Sequence, residues 1–238
     1  MSWRFYDQPR STQISKAGAQ MALEKAKKKN PDLAPVIIEG RTIARTWWGK
    51  SWNLNLERYA DYASRIGRGR TYVRNGAVLD LKIDTGKITG LVAGSKATPY
   101  KVAITIDKLP EEKWQDITHT CSHRIGSLSE LLEGKFPEEL ADVFFHQKDG
   151  LFPSPKEIHL SCTCPDWAVL CKHVAAVLYG VGARLDQEPL LFFTLRDIGF
   201  TALLKKSAEE KVDSLLKNAD KKTSRVLDDK VIPDLFQL

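Results

Sequence analysis

The sequence predicts an α+β protein: an antiparallel meander sheet with packed helices, plus a small strand-turn-helix knuckle. Three observations carry this. Short runs rich in β-branched residues follow one another at 77–83, 87–93 and 100–106, separated by turn signals. Apolar residues recur at helical spacing in several other segments. Three of the four cysteines fall within ten positions, between an apolar strand-like stretch and an apolar helix-like one.

Residues 1–40 read as a basic, loosely ordered arm. Within it 17–30 has helical character, with a thin stripe of Met21, Leu23 and Ala26, stopped at Asn30-Pro31. Lys27, Lys28 and Lys29 either touch phosphate or sit as a solvated helix end that complements the dipole, and the second is commoner. Residues 41–135 read as an α+β domain. It opens with a helix over 46–62, where Trp48, Trp52, Leu56 and Tyr59 recur at i, i+4, i+8 and i+11. Its tryptophans are either a stacking platform for bases or core residues seating the helix on a sheet, and helical spacing favours core.

Arg65-Ile-Gly-Arg-Gly-Arg70, followed by Arg74, reads as a rim loop between that helix and the sheet. Its glycines allow close backbone approach, and Arg65, Arg68, Arg70 and Arg74 offer forked donors for phosphate. An exposed loop with no ligand reads equally well. The three strands then form a meander, with Asp84-Thr-Gly86 closing the first hairpin. Pro110-Glu-Glu starts a helix, and 128–132 and 137–140 resemble further short helices. His119-Thr-Cys121-Ser-His123 lacks enough ligands for a site and reads as a coincidence on a helix.

Residues 136–200 hold the cysteine cluster: Cys162-Thr-Cys164, six residues, then Cys171-Lys-His173. Three thiolates and an imidazole form the closed tetrahedral set that structural zinc takes. Cys162 and Cys164 end a short strand after Ile158, and Pro165-Asp166 supplies a turn. Ligands at i and i+2 of a regular helix point about 200° apart. Cys171 is therefore expected just before the helix and His173 in its first turn. A disulfide would suit a secreted chain, but the opening Met-Ser-Trp-Arg-Phe-Tyr lacks the apolar stretch of a secretory signal. A cytoplasmic location with reduced thiols is expected. A metal with an open coordination position would instead mark catalysis.

The run Cys162-Thr-Cys164-Pro-Asp-Trp167 to Cys171-Lys-His173-Val-Ala-Ala-Val177 resembles the SWIM zinc finger, Cys-x-Cys and then Cys-x-His. A wider resemblance, to small bacterial SWIM proteins that accompany Snf-type helicase-like ATPases, rests on motifs outside the finger. These are Thr46-Trp-Trp-Gly-Lys-Ser-Trp52, Gly67-Arg-Gly-Arg-Thr-Tyr72 with Gly76-Ala-Val78, Gly94-Ser95 with Pro99-Tyr100, and Leu190-Leu-Phe-Phe-Thr-Leu-Arg196. The resemblance implies a bound Zn2+, an accessory role in binding DNA or protein, and no catalysis.

Charge and tail complete the reading. Residues 1–75 hold 15 Lys/Arg against 6 Asp/Glu, leaving 21 against 24 in the rest. A basic half of this kind is the footprint of a polyanion binder. Residues 201–238 form a charged helix, with Leu204, Ala208, Val212, Leu215 and Leu216 on one face, and a docking tail ending in Val231-Ile-Pro-Asp-Leu-Phe236. No stretch reaches the ~20 apolar residues of a membrane helix. No Walker loop appears, since Gly49-Lys50-Ser51 lacks a glycine five positions earlier, and there is no Gly-x-Ser-x-Gly or His-Glu-x-x-His. The expected function is therefore a non-enzymatic zinc-binding accessory protein that binds nucleic acid beside an ATPase. The alternative is an adaptor that recruits such an ATPase without touching nucleic acid.

Overall fold

The computed structural model describes residues 14–58, 63–122, 138–144, 146 and 149–219. Tyr59, His123, the helices expected at 128–132 and from 137, the first thirteen residues and the 231–236 tail all lie wholly or partly outside that set.

Four antiparallel strands run in the order β1 (Val78–Asp84), β2 (Lys87–Val92), β3 (Tyr100–Ile106) and β4 (Ile158–Cys162). The first three are the expected meander, within one or two residues. In β3 strict alternation sorts one face inward: Tyr100, Val102, Ile104 and Ile106 are buried, and the residues between them are exposed. Asp84 pairs with Lys87 across the two-residue Thr85-Gly86 turn, where Gly86 adopts φ +64°.

The knuckle's strand is not separate from this sheet. β4 pairs with β3 through five register positions, from Ile106↔Ile158 to Val102↔Cys162. A single sheet thus runs from the segment 41–135 into the segment 136–200.

Helices α1 (Lys16–Lys27), α2 (Trp47–Arg58) and α3 (Ala63–Arg74) precede the sheet, and α4 (Glu111–Ser122) follows β3. The one-turn α5 (Ala141–Phe144) precedes β4. After β4 come α6 (Lys172–Leu185), α7 (Leu191–Leu195) and α8 (Phe200–Ala219). The central element is α6. It touches all four strands on one side and α2 and α3 on the other. Eleven of its fourteen residues are buried, which explains why its sequence is apolar nearly all round. The tryptophans of α2 take the core role: Trp52 is 1% exposed and its indole N–H donates to the Leu178 carbonyl of α6 at 2.8 Å. Trp48 is buried and stacks on half-buried Trp47, with ring centroids 5.1 Å apart.

Two expectations are corrected here. Arg65-Ile-Gly-Arg-Gly-Arg70 is not a rim loop; it lies inside α3. Ile66, Tyr72 and Val73 are buried, and a Cβ on Gly69 would stand 2.5 Å from the Ala175 Cβ and 3.1 Å from the Ala176 nitrogen. Helix-on-helix packing overrides the poor propensity of two glycines. Nor is the described part of the N-terminal arm loose. Ala19 is buried in the core, and residues 34–36 lie along β1. There the Val36 N–H donates to the Val78 carbonyl, the Leu81 N–H to the Ala34 carbonyl, and the Ala34 N–H to the Asp80 carboxylate at 2.8 Å. The free edge of β1 is thereby covered.

Arg196 ties the segment after α7 to the chain just past β3 and just before β4. It is fully buried, donating to the Asp107 carbonyl at 2.9 Å and to the Glu157 carboxylate at 2.7 Å. Burial alone would raise the Glu157 carboxyl, but hydrogen bonds from Arg196 and Ser154 hold it below its ordinary value.

Candidate metal centre

Strand register places the first ligand pair. Cys162 ends β4 opposite Val102, and pairing continues one residue further: the Thr163 N–H donates to the Lys101 carbonyl and the Lys101 N–H to the Thr163 hydroxyl, both at 3.0 Å. The chain then turns at Asp166, whose carboxylate accepts the Ala168 N–H at 3.2 Å, an Asx turn. Arg65 of α3 grips the same carboxylate with two bonds of 3.0 and 3.3 Å. That contact, before all others, holds Asp166 below its ordinary range.

The second pair sits at the start of α6. Cys171 is the N-cap, its sulfur accepting the Val174 N–H at 3.5 Å, and His173 lies in the first turn. Strand end, turn and helix start converge: one donor atom from each of Cys162, Cys164, Cys171 and His173 lies within 4.8 Å of the others. Nδ1 of His173 is 3.9 Å from both the Cys162 and the Cys171 sulfur. Bonds of about 2.3 Å to sulfur and about 2.0 Å to nitrogen on a tetrahedron give S···N edges of about 3.5 Å. These two S···N edges are therefore open by only a few tenths of an ångström. No disulfide forms among these cysteines.

Protonation chemistry fits a cation as well. Hydrogen bonding from Cys162 is the main influence lowering Cys171, to about 4, with help from His173 and the Val174 N–H against the opposing effect of burial. The same contact with Cys171, and then burial, push the Cys162 thiol far up, and burial leads in raising Cys164. Three crowded sulfurs cannot all ionise by themselves. A divalent cation at their centre removes that conflict, and soft thiolates with one imidazole are the donors zinc takes in closed sites.

The imidazole is held by residues from elsewhere in the chain. Tyr100 of β3 stacks on it, with centroids 4.3 Å apart, and Tyr72 of α3 meets it edge-on at 5.4 Å. Gly94 closes the cage: a Cβ there would be 2.5 Å from the Tyr100 ring and 3.2 Å from His173 Nε2. These clamps leave Nδ1 facing the sulfurs. None of Tyr72, Gly94 or Tyr100 follows from metal-ligand spacing. Each does sit in one of the motifs outside the finger that carry the wider resemblance.

The structure scatters the remaining candidate residues. Helical geometry puts Arg65 and Arg68 on the metal side of α3, and Arg70 and Arg74 on another face. There they line a shallow groove of about 620 Å³ with Arg41, Lys50, Glu57 and Tyr179. Arg70 is engaged, pairing with Glu57 at 2.6 Å and donating to the Tyr179 hydroxyl at 2.7 Å, while that hydroxyl donates to Glu57 at 2.9 Å. Burial first, and then Glu57, raise the Tyr179 phenol to about 12. Among the described residues, Arg41, Lys50 and Arg74 form no salt bridge. Lys27, Lys28 and Lys29 are exposed at the end of α1. Cys121 is fully buried on α4, outside the metal set.

Three thiols and one imidazole thus gather at the edge of a larger sheet, a Cys3His donor set that could hold a metal ion. Residues 148–181 match the family model of the SWIM zinc finger, and the chain carries that finger. An uncharacterized protein of Mycobacterium tuberculosis (strain ATCC 25618 / H37Rv), Rv2102, is 36% identical over 179 residues. The match covers 75% of this chain and 64% of the relative, so the chain spans less than two thirds of that protein's length. No solved structure matches the chain. Among the described residues, no helix is long and apolar enough to cross a membrane.

Proposed function

We propose that this protein is a non-enzymatic, zinc-stabilised accessory factor that binds nucleic acid, with DNA as its ligand, and works beside a helicase-like ATPase of the Snf type. One zinc ion held by Cys162, Cys164, Cys171 and His173 would leave no open position for substrate, so its role is to anchor the fold. The observation that carries the nucleic-acid reading is the groove in which Arg41, Lys50, Arg70 and Arg74 gather from three separate segments. Three of these cations are exposed and outside any described ion pair, as a track for a phosphate backbone requires. The ATPase partner rests on the motif resemblance alone.

The test is salt dependence. Binding to a labelled DNA should weaken linearly on log scales as salt rises, and the Arg41→Ala/Lys50→Ala double variant should lower the slope by roughly 1.4–1.8. Binding that is flat with salt would refute the reading.

One feature favours the adaptor instead. The first half of α8 packs on α4, but from Lys211 to Lys217 the helix is exposed, with Val212, Leu215 and Leu216 at 54–66%. A partner that co-purifies after nuclease treatment and is lost in Leu215→Asp/Leu216→Asp would support that reading.

A further inference from the structure

Trp167 lies at the tip of the knuckle, three residues past Cys164 and four before Cys171, and is 80% exposed. It is nonetheless held in place. The turn beneath it is fixed by the Asp166 bond to the Ala168 N–H. The Arg65 guanidinium, itself fastened to Asp166, lies 5.2 Å from the centre of the indole ring. Arg65 stands on α3, which the Gly69–Ala175 contact seats directly against α6. Both ends of the loop run into metal donors. An indole presented this way has lost most of its freedom before any partner arrives, which is how preorganised contacts gain affinity.

The surroundings are cationic. Arg68 follows Arg65 by one helical turn and is exposed. Lys172 lies 5.5 Å from the Tyr72 ring centre. A protein hot spot built on tryptophan sits within a wider apolar patch, whereas here only Val169, at 70%, is an exposed large apolar neighbour on the loop. With zinc bound, three thiolates leave the centre at net −1, so the local positive charge is modest. The aromatic face, and not charge, is what this tip offers.

We propose that Trp167, backed by Arg65, is a stacking contact for an unpaired base of a single-stranded nucleic acid. Duplex bases have their faces covered by their neighbours, so this contact selects single strands or frayed ends. The inference rests on the nucleic-acid reading above: the groove supplies the salt-dependent hold on the backbone, and the tip supplies the preference for unpaired bases.

The test uses the full zinc-loaded chain and an oligothymidine of about 16 nucleotides, beside a duplex of the same length. Trp167→Ala should weaken single-strand binding by about 5- to 150-fold, with salt slope, duplex affinity, metal content and unfolding midpoint unchanged. Trp167→Phe should keep most of the affinity. Trp167→Leu, which retains bulk without an aromatic face, should lose it even if the alanine variant folds poorly. Equal single-strand binding by wild type, Phe and Leu variants would overturn the stacking role while the groove reading survives. Absence of salt-dependent binding by the wild type to either probe would remove the nucleic-acid reading and this inference with it. Unchanged DNA binding with loss of a nuclease-resistant protein partner would make Trp167 a protein contact and overturn the proposal.

Discussion

Two glycines only two residues apart in α3 should respond to the same substitution with opposite signs. At Gly67 an added Cβ meets nothing within 4 Å. At Gly69 it would meet the Ala175 Cβ at 2.5 Å and backbone atoms of α6 at 3.0 and 3.1 Å. Both lie in the helix interior, so alanine gains about 0.8–1 kcal/mol of helix propensity at either site. That gain cancels when the two variants are compared. What remains is the overpacking at Gly69, where rigid backbone cannot swing away, about 1–3 kcal/mol. Gly67→Ala should therefore stabilise the protein. Gly69→Ala should fall below it by that difference, which is about 2–12 °C in unfolding midpoint for a chain of this size. Urea unfolding followed by circular dichroism, with metal present, measures both. Coincident midpoints would mean that α3 does not pack on α6 as described, and that Arg65–Arg70 is the pliable loop its composition implies.

Elemental analysis of purified protein should find one zinc per chain. Chelation, or Cys162→Ala, should lower the unfolding midpoint but keep most of the far-ultraviolet signal, because β4 stays paired to β3 and α6 stays enclosed; a random-coil spectrum would refute this. Glu157→Ala should cost about 3 kcal/mol at neutral pH, since it strands the fully buried Arg196. The folded Glu157 carboxyl titrates below its ordinary value, so its contribution is present above the unfolded value near 4.3 and disappears as pH falls through the lower folded one. Wild type should thus lose part of its advantage over Glu157→Ala in acid, and a constant gap between pH 7 and pH 3 would refute the pairing.

What could be read from the sequence was local. β3 is legible because burial of one sheet face forces a period of two over Tyr100 to Ile106. The ligand set was legible because four donors lie within twelve residues, and even the N-cap place of Cys171 followed from helix geometry. Contacts between distant segments were not. The segment 34–36 covers β1 through backbone bonds that leave no side-chain pattern. The clamps on His173 come from residues 72, 94 and 100. α3 has the composition of a loop because the glycine that permits close packing against Ala175 is the same residue that lowers helix propensity. Arg41 and Lys50 carry no local signal, because the groove exists only once three segments have folded together.

The position of α6 gives the metal a reach beyond its own loop. His173 lies in the first turn of this helix, and Tyr179, six residues on, closes the hydrogen-bonded triangle with Arg70 and Glu57 in the basic groove. At 1.5 Å per residue these points are about 9 Å apart along one rigid element. α3 runs beside it, with Arg65 at the tip and Arg70 in the groove, and Gly69 locks the two helices together. A strand that followed the groove and ended at the tip would be read by two surfaces whose spacing this helix pair sets. Zinc, by seating the first turn of α6, would hold both surfaces in register without touching the ligand. Loss of metal should then impair binding at the groove as well as at the knuckle, even though none of the groove's cations is a metal ligand.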